Sequence, residues 1–519
     1  MKNNNVLIKD FKNFDYGFLK CAEAVFQTYG SEGRLGLIQN GTNPGYYSKD
    51  GVSLAKAIRF GNLTASAGAV ACITGASRTL SLTQDSTTLS CILMHAFISK
   101  MDRSKFTKKV EAGIYIGVEE VYKHLETLAK KANKKDLKQI TKVAVNSDEV
   151  LADLITDAFN YSGNQGIIEV MMDKDLENSV FEKREGLLLK NHGFTSPYFA
   201  NREDKKMAFE SEQVAVICAA VWEYTPSIVT EIQKFYQDKP RSTPLILFLE
   251  KSNPDFTEKL IGIKQVGYNV CVVACNSYDE YSSEALLNDI ASYTGASVYN
   301  PRNIESKIIF GLADKVVSTV EETTILNIEV PLEFKNLVTT LENAEKRDEK
   351  RIKMLTTKAA LLRIGGLTPL DIQERFDRAE DGVGSIRSST AEGIIAGGGS
   401  TLAYISGLMN TDLNHKEKQV GYELIKWVLT QPILRLLKNA NRGQPKWYQP
   451  WKPNYLKSAM GKYGVGYNTS LDEISNLIED GIVDSKKSIR VAIESSVEQS
   501  IKVLSLGVII HDPTEMNLD

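Results

Sequence analysis

Residues 83–100 read Thr-Gln-Asp-Ser-Thr-Thr-Leu-Ser-Cys-Ile-Leu-Met-His-Ala-Phe-Ile-Ser-Lys. Leu89, Ile92, Leu93, Ala96 and Phe97 recur at i, i+3 and i+4, which predicts a helix with one buried face. The Ser, Thr and Asp just before it are helix-capping residues. A helix N-terminus carries unpaired N–H groups and a partial positive charge, so it suits a phosphate, and the hydroxyls of Ser86, Thr87 and Thr88 add donors. Asp85 fits only if a cation lies between it and the phosphate, which makes it a candidate magnesium ligand. The same composition also serves as ordinary capping, so this stretch alone leaves both readings open.

At 519 residues the chain exceeds the size at which one core stops growing, so several domains are expected. The 42% hydrophobic and 24% charged residues are those of an ordinary soluble globular protein. With 62 basic against 65 acidic residues and a net charge of -3, a nucleic-acid partner is not expected. No apolar run is long enough to span a bilayer and the first residues lack the apolar core of a signal peptide, so the expectation is no membrane partner and a cytoplasmic location. Cys21, Cys72, Cys91, Cys218, Cys271 and Cys275 form no CxxC pair, which argues against a disulfide framework or zinc site. Cys271 and Cys275 are expected in a core.

An apolar-periodic helix over 14–28 is followed by Tyr29-Gly30-Ser31-Glu32-Gly33, whose glycines either admit a ligand to the backbone or cap the helix. Short strands are predicted at 36–38 and 46–48, then the turn Lys49-Asp50-Gly51 and a helix over 52–58. Helices dominate to about residue 132. From 138 to 185 the pattern is mixed, with a helix starting at Asn146-Ser147-Asp148-Glu149 and a strand at 166–170. Residues 186–358 then alternate strands (214–221, 244–249, 269–274) with helices (227–236, 256–264, 283–293), the pattern of an α/β domain with a largely parallel sheet. The charged run 342–353 reads as a solvated helix face. Farther on, Ile372, Phe376, Ala379, Val383 and Ile386 mark one helix face, and Asp381, nine residues after Ile372, falls about 180° away at 100° per residue. Residues 392–400, Glu-Gly-Ile-Ile-Ala-Gly-Gly-Gly-Ser, form a second glycine-rich loop before an apolar helix, for phosphate or sugar or for close helix packing. Residues 442–463, rich in Trp, Tyr, Lys and Pro, read as a surface excursion.

No Walker A loop or dinucleotide fingerprint is present. Taken in order, however, Thr28 and Gly30, Lys49-Asp50-Gly51-Val52-Ser53, Asp85-Ser86-Thr87-Thr88, the 193–199 stretch Gly-Phe-Thr-Ser-Pro-Tyr-Phe, Asp381, the 392–399 loop, Gly466-Tyr467-Asn468 and Gly481-Ile482-Val483-Asp484 resemble the group I, GroEL-type chaperonins over nearly the whole chain. The resemblance implies a multidomain α + α/β chaperonin fold. Residues 1–130 and 392–519 would form a helical equatorial ATP-binding domain, 131–185 and 359–391 a small intermediate hinge domain, and 186–358 an α/β apical substrate-binding domain. It further implies a homo-oligomeric, heptameric ring in one or two layers, non-native client proteins, and leaves a lid co-chaperonin open.

Position by position, the resemblance implies that Thr28, Tyr29 and Gly30 line the phosphates of ATP or ADP. Asp85 would hold Mg2+, Ser86, Thr87, Thr88 and Leu89 the phosphate-cradling turn, Gly398 the ribose region, and Asn468, Thr469, Ser470, Ile482 and Asp484 the nucleoside pocket. Lys49 and Thr28, through their carbonyls, and Thr88 would surround K+. Asp381 would be the catalytic carboxylate that polarises the attacking water, with Asp50 a second acid. Phe194, Tyr198, Phe199, Ile228, Ile232 and Phe235 are candidates for client capture, or else ordinary core residues. The chain departs from the family where D-G-T-T-T is Asp85-Ser86-Thr87-Thr88-Leu89, where L-G-P-K-G is Tyr29-Gly30-Ser31-Glu32-Gly33, and where paired hinge glycines are Thr357-Lys358; 442–463 is also rewritten and longer. The leading functional expectation is an ATP-driven folding machine. One rival is a degenerate binding or assembly scaffold without productive hydrolysis, which loss of Asp85 or Asp381 would have favoured. The other, a small-molecule enzyme built on the α/β block, would need a glycine-rich loop after its first strand, and none is present.

Overall fold

The computed structural model describes all residues except 1–5, 9–10, 40–44, 165, 201–205, 210–212, 222, 224, 252, 277–281, 304, 328–329, 345–347, 441–451 and 512–519. The chain forms two compact units. The first comprises Met1–Thr156, Lys174–Asn178 and Gly365–Asp519, the second Asp157–Asp173 and Ser179–Ile364.

In chain order the first unit opens with β1 (Val6–Ile8), α1 (Lys12–Val25) and a 3-10 turn at Phe26–Thr28. The antiparallel hairpin β2 (Gly36–Ile38) and β3 (Tyr46–Ser48) leads into α2 (Gly51–Ala57), α3 (Leu63–Thr83), α4 (Thr87–Lys100), α5 (Lys108–Leu128), α6 (Lys134–Ala144) and α7 (Glu149–Ser162). Asp50, Asn62, Thr107 and Asn133 each accept an N–H of the helix they precede, whereas Ser86, read as a capping residue before α4, makes no side-chain cap hydrogen bond. Helix α4 departs from its one-faced reading. Cys91, Ile92, Leu93, Met94, Ala96, Phe97 and Ile98 are all buried, on every side of the helix, because α1, α3, α15 (Lys416–Val428) and α18 (Lys486–Leu504), described with the return of the chain, enclose it. It is the centre of a core with Phe14, Phe18, Ile114, Val121, Leu402 and Ile493.

In the second unit, β4 (Ile167–Met172), β5 (Val180–Lys190), β6 (Met207–Phe209) and β7 (Val214–Ala219) precede α8 (Pro226–Asp238), β8 (Leu245–Leu249), α9 (Pro254–Gln265), β9 (Val270–Ala274), α10 (Ser283–Thr294) and β10 (Val298–Tyr299). Strands β10, β7, β8 and β9 pair parallel in that order, as the alternation of strand and helix requires, and β7, β8 and β9 are buried along their whole length. Next come β11 (Gly311–Ala313), which joins β7 antiparallel, β12 (Lys315–Ser318), β13 (Glu322–Leu326), α11 (Leu332–Glu342), α12 (Glu349–Leu355) and β14 (Thr357–Ile364).

A second sheet, in the order β4-β14-β5-β13-β12-β6, is antiparallel except for β4 with β14, so the expectation of a largely parallel sheet holds for only part of this unit. Its longest strand, Val-Phe-Glu-Lys-Arg-Glu-Gly-Leu-Leu-Leu-Lys, hides behind charges that carry no strand signal. Thr357 and Lys358, expected at a hinge, are the first two residues of β14, in register with Gly186 and Glu185.

Four of the six client-capture candidates lie in the core of this unit. Phe194, Phe199, Ile228 and Ile232 are buried, and Phe235 is half-buried and stacked on Phe310 at 5.1 Å. The spacing that suggested an apolar face on α8 is the one that packing on a sheet itself demands. Tyr198, 57% exposed in a 3-10 turn at Pro197–Phe199, is the candidate that faces solvent.

The chain returns to the first unit with α13 (Pro369–Glu392), β15 (Ile394–Ala396), α14 (Ser400–Leu408), α15, α16 (Gln431–Ala440), α17 (Lys452–Gly461), β16 (Val465–Asn468), β17 (Glu473–Asn476), β18 (Val483–Ser485), α18 and β19 (Ile509–His511), which pairs with β1. Of the surface excursion read at 442–463, residues 442–451 lie outside the described residues; the rest is largely α17. All six cysteines are buried thiols.

Candidate functional site

Between α3 and α4 the chain turns sharply. Gln84 closes α3 at φ 55° and Ser86 opens α4 at φ 64°, both in the left-handed region. Asp85 lies between them, and each carboxylate oxygen has a donor. Oδ1 accepts the Ser86 N–H, and Oδ2 accepts the Ser385 hydroxyl of α13 at 2.7 Å. Helix α13 comes this close because residue 384 is glycine: a Cβ there would lie 2.4 Å from the Thr83 carbonyl oxygen. Gly51 plays the same part on the other side, where a Cβ would lie 2.7 Å from Thr88 Oγ1.

These turns open on a cavity of about 350 Å3 within the first unit. Thr28, Tyr29 and Gly30 line it from the end of α1, Lys49 and Asp50 from the β3–α2 turn, and residues 85–89 from the start of α4. Gly398 comes from the glycine loop and Ile482 and Asp484 from β18 and its approach. Strand β15 pairs antiparallel with β18, and Gly397 N–H donates to Ile482 O at 2.9 Å, so the glycine loop and Asp484 arrive as one piece. Thr469 and Ser470 complete the lining, with Thr469 Oγ1 2.6 Å from Ser31 Oγ of the first loop. Asn468 is the site candidate absent from the wall: its Nδ2 donates to Asp480 and its Oδ1 accepts from Ser470 and Leu471 N–H, so it shapes the turn instead.

Asp50, Asp85, Asp377, Asp381 and Asp484 share this cavity. Burial, then Asp85, Asp50 and Asp377, push the Asp381 carboxyl well above the usual carboxylate range. Asp484 is pushed up to about 7 by burial and then by Asp85. Asp377 also reaches about 7 through burial, against the lowering effect of its hydrogen bond from Gln373, with Asp50, Glu380 and Glu374 adding to the rise. Burial raises Asp85 too, despite its hydrogen bonds from Ser385 and Ser86. Carboxylates that repel one another in a shared cavity are relieved by a cation. Among the described residues no group of three or more His, Cys, Asp or Glu side chains could hold a metal by itself. Magnesium commonly takes one or two carboxylates and completes its octahedron with phosphate oxygens and water, so these carboxylates would suit it only together with a phosphate ligand.

The TCP-1/cpn60 chaperonin family model matches residues 21–514 of the chain. The chain belongs to this family. The chaperonin is 26% identical over 528 residues to the chaperonin GroEL of Orientia tsutsugamushi, with 96% of this chain and 92% of the relative covered, and equally to that of its strain Ikeda. At that identity it is a divergent member of the family. In structure it is similar to the chaperonin gp146 from the bacteriophage EL 2 (Pseudomonas aeruginosa), in two crystal forms obtained in the presence of ATP-BeFx. The TM-scores are 0.62 and 0.58 at 19% identity, with 98% of this chain and 98% and 99% of those chains covered. That likeness shows the multidomain α + α/β chaperonin fold.

Several residues of the chaperonin's cavity escaped the sequence reading. Glu374, Asp377, Arg378 and Ser385 share with Asp381 one stripe of α13, and the i, i+4 rule applied to Asp381 would have found Asp377 and Ser385. Asn146 and Ser147 also line the cavity, both in the left-handed region at φ 56° and 67°, which no local pattern announced.

Ser86 stands where the family pattern has glycine. Ser86→Gly is expected to change folding stability by less than about 1 kcal/mol, because relief of the left-handed strain is offset by the greater entropy of the unfolded chain. Mg-ATP binding is expected to tighten about threefold as the backbone is uncovered. Titration calorimetry checks this; weaker binding would mean that the Ser86 hydroxyl itself contacts phosphate.

Proposed function

We propose that this chaperonin binds Mg-ATP in the cavity of the first unit, hydrolyses it, and uses the cycle to capture and release non-native proteins. The observation that carries this reading is the convergence of Asp85, Asp381 and three separate turns on one cavity, together with the family membership. Retention of both carboxylates favours hydrolysis over a scaffold that only binds. On this reading the turn at Asp85–Thr88 takes the phosphates on the N–H groups of α4, and Asp85 holds the metal. Magnesium, when bound, neutralises phosphate charge as the leaving group departs. Asp381 orients the attacking water and takes up its proton, with Asp50 as a neighbouring acid whose carboxylate is fixed by the N–H groups of Val52 and Ser53 at 3.3 and 2.6 Å. Thr28, Lys49 and Thr88, around the same cavity, are the set for a potassium ion.

Residues 1–130 and 392–519 serve as the equatorial domain, 131–185 and 359–391 as the intermediate domain, and 186–358 as the apical domain. Tyr198 is the side chain from the sequence reading that can meet a client, and Val266, Ile309, Val320 and Leu332 are further exposed apolar residues of the second unit. Apolar capture needs no specific pocket. No described helix is long and apolar enough to cross a membrane.

The purified protein should sediment as a heptameric ring, single or double, and should suppress aggregation of an unfolded test protein, releasing it only when Mg-ATP is added. A monomer at micromolar concentration, or release that is indifferent to nucleotide, would overturn the proposal.

A further inference from the structure

Helix α16 sets three residues against the turn that carries Thr28 and Gly30. Asn439, 4% exposed, donates Nδ2 to two carbonyls of that turn, Phe26 O at 3.1 Å and Tyr29 O at 2.8 Å. One helical turn earlier, Arg435 donates Nε to Phe26 O at 3.1 Å and lays its guanidinium over the Phe26 ring, 4.0 Å from the centroid. His95 of α4 meets the same ring edge-on at 5.1 Å. Leu436 lies between the two donors, lines the cavity, and would be 3.1 Å from a Cβ placed on Gly30, which itself sits at φ 83°. Leu436 also belongs, with Ile433 and Leu437, to a cluster that includes Ala403 and Tyr467 and packs against Tyr29.

A chain leaving a helix through a 3-10 turn has carbonyls without helical partners, and whatever accepts them decides how the following residues are presented. Here Phe26 O takes the Tyr29 N–H of the 3-10 turn at 3.4 Å, and both it and Tyr29 O take side-chain donors from an element 409 to 413 residues away in sequence. We propose that Asn439 and Arg435 are positioning residues for the nucleotide: they hold the carbonyls of Phe26 and Tyr29 against α16 and so set the cavity-lining backbone of Thr28, Tyr29 and Gly30. The inference rests on the nucleotide reading of that cavity.

The test uses the full-length assembled protein. In Asn439→Ala the dissociation constant for Mg-ATP is expected to rise about tenfold, since the Tyr29 carbonyl loses its side-chain donor and Phe26 O keeps only Arg435 Nε and the Tyr29 N–H. At saturating ATP, kcat should stay within about twofold, because neither side chain reaches the reacting atoms. Arg435→Gln is expected to weaken binding about threefold through loss of the ring contact and a charge-assisted donor, and Arg435→Lys to restore part of it. A variant that is folded and assembled but binds Mg-ATP as wild type overturns the inference, even if its melting temperature is lower, since that marks a purely structural role. Should Asn439→Ala fail to fold, the Arg435 pair decides by the same criterion. If the wild-type protein binds no Mg-ATP, the nucleotide reading falls and this inference with it.

Discussion

Asp381→Ala is expected to lower kcat for ATP hydrolysis about a thousandfold while leaving the dissociation constant for Mg-ATP within about twofold. The side chain lies on the stripe of α13 that faces the cavity and belongs to none of the turns that offer N–H groups to phosphate. On the proposed function its removal takes away the group that orients water and accepts its proton, and no phosphate contact. The variant should also melt at a higher temperature than wild type in the absence of nucleotide. A carboxyl raised by burial and by Asp85, Asp50 and Asp377 is a strained group in the empty site, and activity is what it is retained for. Single-turnover hydrolysis and equilibrium binding, measured on the same preparation, separate the two effects. Wild-type turnover in the variant would remove Asp381 from the chemistry.

Asp85→Ala should act on the other half of the problem. It deletes the proposed metal ligand and leaves the Ser86 N–H and the Ser385 hydroxyl without their acceptor, so Mg-ATP affinity should fall by at least about a hundredfold. The magnesium dependence of nucleotide binding should disappear with it. Equal affinity with and without this carboxylate would exclude the metal role.

The cavity also predicts a dependence on pH. Asp377 and Asp484 titrate at about 7 in the folded protein, above the ordinary carboxylate value. The folded protein therefore keeps protons that the unfolded chain has released, and the stability these groups lend is complete below pH 4 and lost as pH rises through about 7. Bound Mg-ATP works against that loss, because its cation favours the ionised carboxyls. The rise in melting temperature on adding Mg-ATP should be larger at pH 8 than at pH 6, and equal shifts at the two values would contradict this account.

The turns and caps of the chaperonin were legible in its sequence. Asp50 before α2 and the strand and helix alternation from β7 to α10 are set by short-range hydrogen bonding and by the period of apolar side chains, whereas the capping read at the start of α4 is not made by the Ser86 side chain. The order of the motifs was enough to point to the family. What an apolar stripe touches is not a local property. Ile228 and Ile232 have the spacing of a capture surface and of a helix seated on a sheet alike, and only the sheet beneath α8 decided for the second.

Helix α4 shows the converse. Its stripe announced one buried face, and the surrounding helices buried all of them. Asn439, polar and unremarkable in sequence, became a partner of the Phe26 and Tyr29 carbonyls because folding brought α16 against them. Likewise Asp377 and Ser385 acquired a place in the cavity only when Gly384 let α13 settle on the Thr83 carbonyl. Local patterns state which backbone a segment can adopt and which side of it is apolar. The partner of a buried face, and the company a carboxylate keeps, are set by contacts between segments far apart in the chain, whose balance of desolvation and hydrogen bonding exists only in the folded protein.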